Sequence, residues 1–209
     1  MPLKKMKRNA AASRESILKA ALKEFSTVGY AGARVDNIAQ AAGISKPLIY
    51  TYFGDKDAVY AAALREAYVQ IRESEKQLNF ENLESVEAIR SLVAFTLEHF
   101  RNNPWFIIML NTENLRGGEA IRKIHDVEHI QSHLVRKLGE ILAKGEKEGK
   151  FRAGIDPVEL YVFIASVCYF PVSNVHTLRA VFAISLDDAW LDSHGKRAAE
   201  FVVRYLRPL

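Results

Sequence analysis

The sequence predicts an all-α protein with a small N-terminal head and a larger helical body. Apolar residues recur at helical spacing from end to end, and alternating Val/Ile/Thr runs framed by tight turns hardly occur. Glycines and prolines such as Gly43, Gly54 and Pro104 separate the periodic segments. The 209 residues are 49% apolar and 26% charged, a composition typical of a folded chain long enough to bury a core.

The first helix follows a basic N-terminal stretch. Residues 1–12 combine basic side chains with alanines, and we expect them to form a flexible arm. Apolar residues at steps of four then predict a helix that begins after Ser13 as N-cap and ends near Gly29. Residues 13–58 are predicted to form the head, and residues 59–209 the body.

Two short helices and the turn between them form a helix-turn-helix pattern. The i, i+3, i+4, i+7 spacing that starts at Val35 predicts a second helix ended by Gly43. Ser45 is a plausible N-cap for a third helix from Lys46 to about Phe53, with Pro47 in its first turn, where a missing N–H costs nothing.

The third helix has a defined outward face. Because Ile49 and Phe53 are one turn apart and face inward, other side chains project away from the core. The outward and flanking residues are Lys46, Pro47, Leu48, Tyr50, Thr51 and Gly54. Such a face fits a DNA major groove, although a plain helical hairpin would show the same spacing.

The positive charge is concentrated in the head. Residues 1–60 hold 10 Lys/Arg and 5 Asp/Glu, and the remaining residues hold 19 and 20, so the net charges are +5 and −1. A basic excess at one end favours contact with a polyanion, since phosphate contacts release counterions.

The run from Ser13 to Leu64 resembles the head of the TetR family of transcription regulators. The similar features are Gly29-Tyr30, Ile38-Ala39, Ala42-Gly43-Ile44-Ser45, Tyr50, Phe53 and Lys56. The resemblance implies a homodimeric repressor whose two heads bind a palindromic double-stranded operator and are moved by a small-molecule effector. The single Cys168 and an N-terminus without the apolar run of a signal peptide predict a cytoplasmic protein, and no cofactor is expected.

The resemblance also assigns DNA-contact roles. It places Lys46, Tyr50, Tyr52 and Lys56 at phosphate-contacting positions, and Pro47, Leu48 and Thr51 nearer base edges. Ser45 is a further DNA-binding candidate. Tyr52 stands where the family often has His, and Arg34 where Ser or Thr often begins the second helix. Arg34 either adds a phosphate contact or is simply solvated.

The body is predicted to contain a long helix from Asp55 to about Arg72, followed by helices near residues 86–101, 105–114, 121–148, 157–169, 178–183 and 187–206. Glu113-Asn114-Leu115-Arg116-Gly117-Gly118 and the ending Arg207-Pro208 resemble the RutR subgroup of pyrimidine-utilisation regulators. That resemblance implies a pocket for a small, planar compound.

Apolar stripes in the body are candidates for this pocket. One stripe comprises Trp105, Phe106, Met109, Leu110, Glu113 and Asn114, and a facing wall comprises Phe163, Val167, Cys168 and Phe170. Such stripes are more often core than pocket. Glu113 is the most informative residue, because a carboxylate on an apolar face is costly unless it is paired or used.

The last two long helices are predicted to form a homodimer interface. Their proposed contact residues are Leu160, Phe163, Ile164, Val167, Trp190, Phe201 and Tyr205. The alternative is that these side chains face the protomer's own core.

Other functions have weaker signals. His125, His129 and His133 fall at i, i+4 and i+8, a possible metal-ligand spacing that would make a metal-responsive regulator, although a solvated stripe has the same spacing. Phosphate loops and nucleophile elbows are not seen, so an enzyme is not expected. A helical protein-interaction module would leave the basic head unexplained. We expect no membrane partner, because the apolar stretch from Leu160 to Val172 is too short to span a bilayer.

Overall fold

The regular structure is helical throughout the part of the chain that the structure describes. This computed structural model describes residues 2–75, 78, 80 and 82–208, and their side chains except those of 2–9, 131 and 132. The helices are α1 (Pro2–Gly32), α2 (Val35–Ala42), α3 (Lys46–Phe53), α4 (Lys56–Glu75), α5 (Ser85–Asn102), α6 (Pro104–Leu115), a 3₁₀ helix (Ile121–Lys123), α7 (Val127–Lys147), α8 (Pro157–Ser173), α9 (Val175–Phe182) and α10 (Asp188–Leu206). The all-α prediction is confirmed.

The first three helices follow the predicted pattern with one extension. The bounds of α2 and α3 agree with the periodicity, and Gly43 ends α2 in the left-handed conformation, with φ 67°. The helix α1 begins at Pro2, so Ser13 lies inside it rather than at its N-cap. Gly29, at φ 69° and ψ 176°, breaks α1 near the predicted end.

Three predicted helices of the body differ from the observed ones. The helix predicted at 178–183 is observed as α9, which begins at Val175 and ends at Phe182. The segment 121–148 is divided into the short 3₁₀ helix and α7, and residues 124–126 lie between them. The predicted stop before Pro171 is wrong, since α8 continues through that proline to Ser173. A proline inside a helix removes one hydrogen bond, and His194 of α10 compensates for it through a contact with Val167 O.

Residues Met1–Gln70 and Trp105–Glu128 form one compact unit, called the head unit below. Its fully buried side chains include Phe25, Ile38, Ile49 and Tyr60. The unit thus contains α1–α3, most of α4 and nearly all of α6. It is larger than the head predicted from the sequence, because α6 residues such as Met109 share its core.

Residues Ile71–Pro104 and His129–Leu209 form the second compact unit, called the body unit below. In it α5 packs against α8 and α10. Gly195 of α10 permits a close approach, since a Cβ there would lie 2.8 Å from Leu97 Cδ2 of α5. On α8 the fully or nearly fully buried residues are Leu160, Ile164 and Cys168. The prediction that Leu160 and Ile164 face a partner subunit is therefore wrong, because both pack into the core of their own unit.

The apolar stretch that begins at Leu160 lies within α8, and this helix is partly buried. Among the described residues, no single helix has both the length and the hydropathy needed to cross a membrane. The pair α8 and α9 meets these two criteria only when taken together, across a 70° bend.

Candidate nucleic-acid interface

The helix-turn-helix is held by backbone hydrogen bonds at the turn and by a small apolar core. Ile44 N donates to Ala39 O at 3.0 Å, across the left-handed Gly43. Ile38 of α2 and Ile49 of α3 are both completely buried. Because one face of α3 is fixed in this way, its other face is left for contacts outside the protomer.

The predicted DNA-contact side chains lie on that outer face or beside it. The exposed ones are Arg34, Ser45, Pro47, Tyr50 and Thr51, and the partly buried ones are Lys46, Leu48, Tyr52 and Lys56. Tyr50 is 40% exposed, so its ring and hydroxyl are accessible from outside the protomer. The nine residues are thus accessible on one part of the head unit, and their contact with DNA stays a prediction.

The hydroxyl groups on this face have different local partners. Ser45 occupies the N-cap position of α3, at φ −71° and ψ 143°, but its side chain makes no capping hydrogen bond. Thr51 Oγ1 donates to Pro47 O at 2.9 Å, within the same helix. A hydroxyl that donates in this way still has lone pairs, so Thr51 keeps the capacity to accept a hydrogen bond from a base.

Glu24 of α1 explains how Arg34 is tolerated at the start of α2. Arg34 supplies no side-chain cap to that helix. Glu24 Oε1 instead accepts hydrogen bonds from Arg34 N at 3.1 Å and from Asn37 Nδ2 at 2.8 Å. Glu24 thus supplies the acceptor at the start of α2, and the Arg34 guanidinium, which can only donate, stays exposed.

Lys46, at the start of α3, is linked to α2 by an exposed ion pair. Its Nζ lies 2.9 Å from Asp36 Oδ2. The hydrogen bond to Asp36 raises the pKa of Lys46, with burial acting in the opposite direction. Lys46 is therefore cationic at neutral pH, and exposed pairs of this kind are weak enough for a phosphate to compete with the carboxylate.

Arg14 of α1 supports the far end of α3, a role that sequence reasoning missed. It donates from Nη2 to Tyr52 O at 2.8 Å. Its guanidinium carbon also lies 5.3 Å from the Tyr52 ring centroid and 5.1 Å from that of Phe53. These contacts join residues that are 38 or 39 positions apart in the sequence, so no local sequence pattern predicts them.

A second unpredicted cluster joins α1, the start of α4 and the segment after α6, and we call it the Arg116 clasp. It consists of Tyr30, Asp57 and Arg116. The Arg116 guanidinium carbon lies 3.4 Å from the Tyr30 ring centroid, and Nη2 donates to Asp57 Oδ1 at 2.9 Å. Tyr30 Oη donates to the same oxygen at 2.7 Å. The hydrogen bond from Tyr30 is the largest of the contributions that lower the pKa of Asp57.

The clasp adjoins one of the predicted phosphate contacts. Lys56 Nζ lies 4.6 Å from the centroid of the same Tyr30 ring. A displacement of Arg116 would therefore change the surroundings of the Tyr30 ring that Lys56 also contacts. The clasp gives the Glu113–Gly118 motif a physical role, because that motif carries Arg116 into the head unit.

Glu113 is buried because it holds the turn that follows α6. Its Oε1 accepts hydrogen bonds from Ala120 N at 2.7 Å and Ile121 N at 2.9 Å. Nearby in the same unit, Phe106 packs edge-on against Tyr68, with 5.8 Å between ring centroids. These hydrogen bonds satisfy Oε1, whereas the buried Oε2 has no hydrogen-bond partner among the described residues, and a ligand-binding role for Glu113 stays a prediction.

The remaining pocket candidates occupy varied environments. Phe106 and Met109 are buried, Trp105 and Leu110 are partly buried, and Asn114 is exposed with its Nδ2 bonded to Leu110 O. In the body unit, Cys168 is completely buried, Phe163 and Val167 are partly buried, and Phe170 is 57% exposed. The two sets belong to different compact units, and their union in one pocket stays a prediction.

The three histidines predicted to share one helix face, His125, His129 and His133, do not all lie in one helix. His125 precedes the first residue of α7, whereas His129 and His133 lie within that helix. Within the described part of the chain, no group of three or more His, Cys, Asp or Glu side chains is arranged to hold a metal ion. A metal-responsive reading is therefore not supported.

Fold and site together define a class: a helical regulator with a helix-turn-helix in its N-terminal part. A family model described as "Bacterial regulatory proteins, tetR family" matches residues 17–63. A second, described as "Tetracyclin repressor-like, C-terminal domain", matches residues 86–202. The chain belongs to the TetR family of DNA-binding transcriptional regulators.

Individual relatives agree with this assignment. The chain is 36% identical over 176 residues to the HTH-type transcriptional repressor NicS of Pseudomonas putida, covering 84% of this chain and 83% of that protein. It is 27% identical over 205 residues to the HTH-type transcriptional regulator RutR of Escherichia coli K12, covering 98% and 95%. The fold is similar to that of Bacillus subtilis FadR in complex with stearoyl-CoA, with a TM-score of 0.69, 20% identity and coverage of 90% and 97%.

Proposed function

We propose that this chain is a homodimeric repressor that binds a palindromic operator and is released by a small-molecule effector. The observation that carries the proposal is the outer face of α3, where Tyr50 and Thr51 are exposed while Ile49 anchors the helix in the core. In this proposal Lys46, Tyr50, Tyr52, Lys56 and Arg34 contact phosphates. Pro47, Leu48 and Thr51 lie against base edges, and Ser45 is a further DNA contact at the start of α3.

Selection from randomised DNA duplexes tests the DNA part of the proposal. Two heads related by a twofold axis read half-sites whose centres lie one helical turn apart, roughly 34 to 36 Å. The expected result is an enriched palindrome with that spacing. Enrichment of no sequence would contradict the proposal and favour a protein-interaction role.

The dimer part of the proposal is supported by an exposed apolar surface on α8 and α10. Its residues are Val158, Val162, Phe163, Phe170, Phe201 and Tyr205, and all except Phe163 are more than 45% exposed. The Phe163 ring centroid lies 5.5 Å from that of Phe201 and 5.7 Å from that of Tyr205. Aromatic clusters of this kind are typical of interface centres, and two copies would pack as a four-helix interface.

Light scattering at micromolar concentration should give twice the protomer mass, and a monomeric mass would refute the proposed dimer.

We propose that the effector binds among the helices that follow the head. The relatives support this: a FadR structure holds stearoyl-CoA, and the similarity to the repressor NicS covers 84% of the chain. The Arg116 clasp offers a route by which a change at α6 reaches α4.

The effector must bind one arrangement of the heads better than the other, because an equal affinity for both would leave their equilibrium unchanged. An operator titration with and without each compound that binds the protein tests this, and binding without any change in operator affinity would refute induction.

A further inference from the structure

The body unit contains a buried charged group that the DNA-contact face does not explain. It consists of Arg72 and Glu75 at the end of α4, His99 of α5 and Tyr161 of α8, and we call it the Arg72 cluster. The Arg72 and Glu75 side chains are only 6% and 5% exposed. Arg72 Nη1 donates to the Glu75 carboxylate, and Nη2 donates to Tyr161 Oη at 3.0 Å.

This cluster is a costly arrangement for a merely structural role. Removing two charges from water generally costs more than their attraction returns, and apolar residues of similar volume stabilise a core better. Glu75 also lies in the last turn of α4, where the helix dipole disfavours a carboxylate. Arg72 Nε is buried and has no hydrogen-bond partner among the described residues. The guanidinium therefore has a buried donor left for an acceptor that the described residues do not supply.

The electrostatic balance of the cluster favours an anionic acceptor. Burial raises the pKa of Glu75 to about 7, although Arg72 acts in the opposite direction. Burial, with a contribution from the Arg72 charge, lowers the pKa of His99 to about 4, so this imidazole is neutral at pH 7. On α8, burial raises the pKa values of Tyr161 and Cys168, and both stay protonated. When Glu75 takes up a proton, Arg72 is the remaining charge of the cluster.

We propose that the Arg72 cluster recognises an effector that carries a carboxylate. The guanidinium fork holds the carboxylate oxygens, the Tyr161 hydroxyl donates to one of them, and Glu75 takes a proton from solvent as the effector binds. The proposal rests on the proposed function, because it names the chemical class of the effector of that regulator. Phe95, whose ring centroid lies 6.1 Å from that of His99, adds an aromatic surface beside the cluster, which suits a planar ring on the effector.

Titration calorimetry on the full-length protein without DNA tests the proposal. The probes are monocyclic aromatic carboxylates, benzoate first, each matched with its primary amide. The acids are expected to bind about tenfold or more tightly than their amides, since the amide lacks the charge that Arg72 pairs with. Because Glu75 must be protonated, binding of an acid should be about tenfold tighter at pH 6 than at pH 8, with proton uptake at pH 8. Failure of every acid, or equal binding of acids and amides, would overturn the proposal.

Variants separate recognition from simple loss of folding. Arg72→Gln should weaken acid binding about tenfold or more, whereas Arg90→Gln, which alters a partly exposed arginine of the same unit, should not. Glu75→Gln mimics the protonated carboxyl group, so it should tighten acid binding at pH 8 and remove its pH dependence. A gain of this kind cannot come from a damaged fold. Unchanged acid binding in Arg72→Gln, or a pH dependence that survives Glu75→Gln, would overturn the proposal.

Different experimental results would refute the proposed function and the proposed carboxylate site. Carboxylate binding that follows the variant pattern without any release of operator DNA would refute induction and leave the site standing. Operator release by neutral compounds alone would support induction and overturn the carboxylate site.

Discussion

His194 of α10 supplies the hydrogen bond that Pro171 removes from α8. Its Nε2 lies 2.8 Å from Val167 O, the carbonyl four residues before the proline, so Nε2 carries the proton and donates it. Trp190 stacks on the imidazole, with ring centroids 5.1 Å apart and an interplanar angle of 8°, and thereby orients it. Because the freed carbonyl has a donor, α8 continues through Pro171 to Ser173.

Loss of this donor should destabilise the protein only while the proline is present. His194→Ala is expected to lower the free energy of unfolding by about 1–2 kcal/mol, because a partly buried carbonyl loses its partner. In a Pro171→Ala background the new backbone N–H can donate to Val167 O, and the same histidine substitution should cost much less. Urea denaturation of the four proteins gives the coupling energy. Equal costs in both backgrounds would show that His194 does not compensate for the proline.

The stability of the protein should fall as the pH rises through about 7, because of Glu75. A carboxyl group whose folded pKa is about 7 binds a proton more tightly in the folded state, so its stabilising effect is lost above that pH. Between about pH 6.5 and 8 the loss should be about 1 kcal/mol. Glu75→Gln should remove this loss, and Glu146→Gln, at an exposed site of the same unit, should not.

His99 should produce the opposite slope at lower pH. Its folded pKa of about 4 lies below the ordinary value of 6.5, so the folded state resists protonation and loses stability as the pH falls through this window. In wild type the Glu75 effect offsets this slope. Denaturation of Glu75→Gln should therefore reveal a fall in stability below about pH 6, and a flat profile would contradict the burial argument.

A charge in the exposed apolar surface of α8 and α10 should prevent dimerisation. Phe201 is 57% exposed in the protomer and contacts Phe163, so Phe201→Glu would place a carboxylate at the centre of the proposed interface. Sedimentation analysis is expected to show a monomer that keeps its helical content but binds the operator weakly. Leu115→Glu is the matched control, since Leu115 is 90% exposed and lies outside the surface. Dimers in both variants would place the interface elsewhere.

Removal of the Arg116 clasp should loosen the head unit. Arg116→Ala deletes a partly buried, charge-assisted hydrogen bond to Asp57 and a cation–π contact with Tyr30, and a loss of about 1–3 kcal/mol is expected. Arg116→Lys should recover part of the stability, because a lysine keeps the charge but not the planar fork. Arg122→Ala, at an exposed position nearby, is the control. Thermal denaturation that cannot distinguish the three variants from wild type would refute the role of the clasp.

The local features of the fold were predictable from the sequence. Periodic apolar positions and Gly43 were enough to define α2 and α3, since short helices in this region are set by local spacing and by the turn. The burial of Glu75 was also predictable from the sequence. It lies four residues after the inward-facing Ile71, which places it on the buried side of α4. An i, i+3 pair with Arg72 nevertheless resembles an ordinary solvated pair.

Two of the features that sequence reasoning missed depend on residues far apart in the chain. The continuation of α8 past Pro171 needs His194, and the clasp joins Tyr30 to Arg116. The inward side of α8 could not be chosen, because apolar residues cover most of that helix and the spacing alone fits either face. Leu160 and Ile164 were therefore placed on the partner-facing side, although they belong to the core.

The most direct test of the central claim is a salt-dependent titration of the selected palindrome with wild type, Lys46→Ala and Thr51→Val. If α3 reads the operator, Lys46→Ala weakens binding to every sequence and lowers the salt slope by about 1, because one phosphate contact is lost. Thr51→Val instead changes the preference among single-base variants of the palindrome and leaves the salt slope unchanged. Identical affinities and slopes for all three proteins would contradict the claim that the outer face of α3 contacts DNA.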